Sequence, residues 1–106
     1  MTYQEVFEKF KNQFKDADVS SIKGRLAYQF NIVDEGAGAF YVEVNDGRLS
    51  IEPYEYYDRD VLFTCKADVL FKIISGKIDP VAAFTLGKLK VEGSIEKALL
   101  LKNMIK

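Results

Sequence analysis

The sequence predicts an α+β domain: a five-stranded, mostly antiparallel sheet with its helices gathered on one face. Three observations carry this. Apolar side chains recur at helical spacing from Tyr3 to Phe14, the period changes to two from Leu26 onward, and the last third is cut by Gly, Pro and cap residues into short pieces. Strands that run together, followed by helices, pack as a sheet covered on one side. A length of 106 residues fits one domain and one core, residues 1–106.

Each element has a local cause. Thr2 and Glu5 have the spacing of a capping box, and Tyr3, Val6, Phe7, Phe10 and Phe14 then form one apolar stripe between charged residues. Residues 16–23 read as a loop with one further turn, closed by Gly24. Leu26, Tyr28, Phe30 and Ile32 alternate with smaller or polar residues and predict a half-buried strand. Phe40, Val42 and Val44 make a second strand. Asn45-Asp46-Gly47 predicts a hairpin into a third, Leu49 to Ile51, which Pro53 ends. Val61, Phe63 and Cys65 alternate in a fourth strand, with the Cys65 thiol on the inward phase. Asp68 is expected to cap a helix through Leu70, Phe71, Ile73 and Ile74 to Gly76. Asp79-Pro80 opens a short helix that Gly87 stops, Leu89 and Val91 belong to a fifth strand, and Ser94 caps one final helix. The far sheet face, with Ala27, Gln29, Tyr41, Glu43, Thr64, Lys66, Lys88 and Lys90, is expected to be mostly polar and solvated.

Composition excludes several functions. Net charge is −1, with no global basic field for nucleic acid, and the clustered lysines read as solvated faces. There is no histidine and one cysteine, so neither a disulfide nor a Cys/His metal site can be built. No phosphate loop or nucleophile elbow is present. The sequence thus implies no catalytic residue, no metal and no cofactor. Tyr54, Tyr56 and Tyr57 among Glu55, Asp58 and Asp60 read as a polar connection shielding a sheet edge, with acid–base chemistry as the rival reading. Met1 to Lys15 lacks the apolar core of a signal peptide, and the ending Met104-Ile105-Lys106 is not a peroxisomal address, so the expected setting is cytoplasmic.

The final helix is the informative one. Leu99-Leu100-Leu101 covers a wider arc than one stripe on a sheet needs, and a partner subunit or a greasy ligand must cover the excess.

The segment Ser75-Gly76-Lys77-Ile78-Asp79-Pro80, the pair Ala83-Phe84, the run Gly87-Lys88-Leu89-Lys90-Val91 with Gly93, and the apolar end with Ala98 and Leu101 to Asn103 together resemble the sterol carrier protein-two family. The hairpin at Asn45-Asp46-Gly47 falls where that family has its own. The resemblance covers Val19 to the C-terminus, with an amphipathic helix before it. It implies an apolar tunnel between sheet and helices, and non-catalytic binding and intermembrane transfer of fatty acids, acyl-CoA, phospholipids or sterols. On that basis Phe10, Phe14, Phe71, Ile74, Phe84, Leu86, Leu100 and Met104 are the expected tunnel walls, and Lys77, Lys88 and Lys102 the expected partners of an anionic head group. The implied partners are a lipid or acyl ligand and transient membrane contact, with no nucleic acid. An interaction module of the same fold with a filled core, for instance a homodimer built on Leu99 to Leu101, is the alternative.

Overall fold

The computed structural model describes residues 1–105. Helix α1 (Tyr3–Phe14) begins on its capping box: the Glu5 N–H donates to the Thr2 hydroxyl at 3.2 Å, and the Thr2 N–H donates to the Glu5 carboxylate at 2.9 Å. Strands β1 (Arg25–Ile32), β2 (Gly38–Asn45) and β3 (Arg48–Glu52) form a meander. Asp46 and Gly47, at φ 50° and 82°, make the two-residue turn between β2 and β3. Then follow β4 (Val61–Cys65), α2 (Ala67–Ile74), α3 (Pro80–Thr85), β5 (Leu89–Gly93), α4 (Ile95–Leu99) and α5 (Leu101–Met104).

The sheet order is β3-β2-β1-β4-β5. All neighbours are antiparallel except β1 and β4, which run parallel from Tyr28↔Val61 to Ile32↔Cys65. On the helix side the core is a run of touching rings, some stacked and some tilted or edge-on. Phe10 of α1 lies 5.1 Å from Phe14, 5.1 Å from Phe30 and 4.7 Å from Phe40, and the run continues from Phe30 to Phe63 at 5.2 Å and from Phe63 to Tyr28 at 5.0 Å. Such pairs add to the gain from buried area alone.

The far face differs from expectation. Because β3 and β4 both run parallel to β1, the chain between them must cross the sheet. The end of β3 lies level with the start of β4, since Glu52, Tyr41, Gln29 and Leu62 form one row. The crossing therefore needs only three strand spacings, about 14 Å, and the eight residues Pro53–Asp60 reach that easily without a helix. They cross the outer face. The Tyr56 ring meets Tyr41 edge-on at 4.9 Å, its hydroxyl donates to Glu43, and its backbone N–H donates to Gln29 Oε1 at 2.9 Å. Ala27 and Gln29, expected in solvent, are 0% and 2% exposed as a result. The tyrosine segment covers a sheet face rather than an edge. Tyr57 is 96% exposed while Tyr56 is held on Glu43, so the residues of the acid–base reading do not converge.

Asp60 fastens the end of this crossing. Its carboxylate accepts from the Ala27 N–H and from the Lys97 ammonium, both at 2.8 Å, and its carbonyl accepts from the Ser94 N–H at 3.1 Å. A side chain on Gly93 would stand 2.3 Å from that carbonyl oxygen, which is why glycine ends β5. Burial pushes the Asp60 carboxyl up, but Lys97, the Ala27 N–H and Arg25 outweigh it and hold it below the usual carboxylate range.

Two further expectations are corrected. Asp68 lies inside the first turn of α2 and does not cap it. The Ala67 N–H donates instead to Asp34 Oδ1 at 3.0 Å, a cap supplied from the β1–β2 turn. The last helix is two helices: the Leu100 N–H bonds back to Lys97 at 3.2 Å, a tightened turn that ends α4 and re-aims α5.

Two outcomes test this account. Phe30→Ala removes the centre of the ring stack and should cost about 3–5 kcal/mol in urea unfolding. Asp60→Ala should cost about 1.5–3 kcal/mol at neutral pH, as for hydrogen bonds to a charged group. Because the folded-state pKa of Asp60 is depressed, its contribution is present above the unfolded value of about 3.9 and is lost as pH falls through the folded one. The wild-type and variant stability curves should therefore converge in acid.

Candidate functional site

Helix α3, strand β5 and helix α4 enclose an apolar groove of about 210 Å³, open to solvent on one side. Its walls follow from local sequence. Asp79 Oδ1 accepts from the Val81 N–H at 2.8 Å and Pro80 takes the first helical position, which fixes where α3 starts. Val81 and Phe84, three residues apart, then share one face. Ser94 caps α4 by accepting from the Lys97 N–H at 3.2 Å. Ile95, Ala98 and Leu99, at helical spacing, face back across the groove. Phe63, Leu89 and Val91, from the inward phase of β4 and β5, complete the lining. Lys102 also lines it, its ammonium 3.2 Å from the Asp79 carboxylate.

Val81, Phe84, Ile95 and Leu99 are 43–56% exposed, so four of the nine exposed large apolar side chains among the described residues face this one groove. Polar contacts hold α4 from behind: the buried Tyr28 hydroxyl donates to the Lys97 carbonyl, and Lys97 reaches Asp60. Burial raises the Tyr28 phenol well above its ordinary range, so it remains a donor.

Of the residues expected to wall a tunnel, the groove contains Phe84, and of the expected head-group lysines it contains Lys102. The others lie elsewhere. Phe10, Phe14, Ile74 and Met104 are buried in the core, and Leu100 is half-buried against it. Phe71 is half-buried, with the Lys9 ammonium 4.3 Å from its ring centre. Leu86 is 69% exposed at the end of α3, outside the groove lining. Lys77 is exposed after α2, and Lys88 lines a different hollow. The groove lies under α3 and α4, at the β5 end of the helix layer, and opens to solvent.

Val81 and Ile95 were not among the residues expected to line a cavity, and Leu99 entered only as part of the surplus run Leu99 to Leu101. The spacing Ile95, Ala98, Leu99, Lys102 was the available signal, an apolar face that ends in a cation. Cys65 is buried and, mainly through burial, its thiol is pushed up to about 12, so it stays protonated. Among the described residues no three His, Cys, Asp or Glu side chains group to hold a metal ion. No helix there is long and apolar enough to cross a membrane.

Comparison with known proteins places this architecture. The chain is 30% identical over 103 residues to hydroxysteroid dehydrogenase-like protein 2 of Mus musculus, a match over 96% of this chain but 21% of that protein. It is 32% identical over 77 residues to sterol carrier protein 2 of Arabidopsis thaliana, covering 69% of this chain and 63% of the relative. Among solved structures, the sec-alkylsulfatase Pisa1 of a Pseudomonas species superposes with a TM-score of 0.79 at 16% identity, over 92% of this chain and 16% of the enzyme. Palmitated SCP2L2 of Aedes aegypti superposes with a TM-score of 0.66 at 22% identity, over 99% of this chain and 95% of the neighbour. The model of the SCP-2 sterol transfer family matches residues 4–106, and the chain belongs to that family.

Proposed function

We propose that this protein is a non-catalytic lipid binder that holds a fatty-acyl chain in the groove between α3 and α4 and carries it between membranes. The observation behind this reading is the convergence of Val81, Phe84, Ile95 and Leu99, all left about half exposed, on one apolar hollow. Exposed apolar side chains scattered singly need no explanation, whereas a contiguous set marks a binding surface. A dry apolar cavity of about 150 Å³ already binds benzene, and this groove is larger and open-ended. Burying about ten methylenes at ~0.8 kcal/mol each yields ~8 kcal/mol before ordering costs, the scale of micromolar affinity.

Lys102 suits the polar end of such a ligand. Its partner Asp79 is exposed, and exposed ion pairs are weak, so an incoming carboxylate replaces Asp79 at small cost. The palmitate complexes of the Aedes aegypti neighbours support an acyl ligand.

Titration calorimetry with palmitate tests this. Ile95→Asp and Leu99→Asp alter exposed positions and should leave the thermal midpoint nearly unchanged, while weakening palmitate by about tenfold or more, the value of one buried aliphatic side chain. Lys102→Met should weaken palmitate but not hexadecanol. Equal affinity across all variants, or a stable dimer that fills the groove and takes no lipid, would refute the proposal.

A further inference from the structure

The strand that floors the groove also borders a second hollow, where the start of β5 meets the end of β4. Lys66, Lys88 and Lys90 line it with Asp68 and the apolar Val33, Cys65 and Val69, around about 570 Å³ of open space. All three lysines are exposed, and among the described residues none forms an ion pair within the protein. Asp68 is the one carboxylate in the lining, and Glu92 stands farther along β5. The chain's net charge is −1, so this is a local concentration of positive charge.

The chain passes from α3 into β5 through Leu86-Gly87-Lys88, and Gly87 and Lys88 line this hollow. Leu86 protrudes there at 69% exposure, beside the half-exposed Phe84. β5 is also an edge strand. A protruding apolar tip flanked by unpaired lysines matches the two layers of an anionic bilayer, acyl chains below and phosphates above. Helix α1, the other basic amphipathic element, has no such tip, because Val6, Phe7, Phe10 and Phe14 are at most 3% exposed.

We propose that the β5 edge, with Leu86 as its inserted tip and Lys66, Lys88 and Lys90 on the phosphates, docks the protein on an anionic phospholipid surface. Docking there does not require the groove to be occupied.

Co-sedimentation with phosphatidylcholine vesicles, with and without phosphatidylglycerol, tests the inference. Binding is expected only with phosphatidylglycerol and should fall with added salt. Leu86→Asp and the pair Lys88→Glu/Lys90→Glu should each weaken it about tenfold or more, since each basic residue near the surface contributes about fivefold. Both variants should keep the wild-type melting midpoint and wild-type affinity for palmitate in solution. Equal binding to neutral vesicles, wild-type vesicle binding by both variants, or loss of binding through Lys11→Glu on α1 instead overturns the inference. So does a concentration-dependent dimer that Leu86→Asp dissolves in the absence of any vesicle binding. A protein that takes up no palmitate yet binds anionic vesicles through Leu86 retains this docking surface and loses only the groove reading.

Discussion

Strand β1 is buried on both faces, and most of the structure follows from that. Its neighbour β4 runs parallel to it, which rules out a hairpin between β3 and β4 and forces the chain to cross the sheet. The crossing lies on the outer face, so Gln29 loses its water. A buried amide without partners is costly, and here both ends are satisfied: Oε1 accepts from the Tyr56 N–H at 2.9 Å, and Nε2 donates to Asn31 at 2.8 Å. With the outer face of β1 covered by Tyr56 and Asp60, the helices cover the inner face.

That inner face is filled unevenly. Over β1 and β2 the rings of Phe10, Phe14, Phe30 and Phe40 meet at 4.7–5.7 Å and close the space. Over β4 and β5 the cover consists of α3 and α4, helices of six and five residues. Of these, α3 buries only Ala83 fully and α4 buries no residue fully. Short helices on a five-residue edge strand cannot fill the layer that α1 and α2 fill at the other end, and the shortfall is the groove.

The elements were legible because their causes are local. The capping box at Thr2, the alternation from Leu26 to Ile32, the turn at Asp46-Gly47 and the Asp79-Pro80 start all depend on neighbours within a few residues, and the resemblance at Ser75 to Asn103 added the overall order. What was not legible depends on distant partners. Asp34 caps α2 from thirty-three positions away, as its bond to Ala67 records. The cover over Gln29 comes from Tyr56, twenty-seven residues on. The place of the groove depends on distant partners too. Phe10 and Phe14 are as apolar as Phe84, and no one-dimensional pattern tells which end of the sheet a helix will cover. Of the run Leu99 to Leu101, Leu101 is buried in the core, Leu100 is half-buried and Leu99 stays half exposed at the groove.

A helix that buries so little should not hold its place by packing, since isolated helices of this length are unstable in water. α4 is held by polar contacts instead. Ser94 caps its start, its Lys97 carbonyl accepts from Tyr28 on β1, and the Lys97 ammonium sits 2.8 Å from Asp60 at the end of the crossing. These contacts all lie away from Ile95 and Leu99, so they fix the helix without using its apolar side. The crossing that covers the outer face of β1 therefore also anchors, through Asp60, the helix that leaves its apolar side open on the inner one. An apolar wall kept in place by polar contacts has two properties that burial alone would not give together. It needs no neighbour on its apolar side to stay in place, and its weakly packed segment is where local opening costs least.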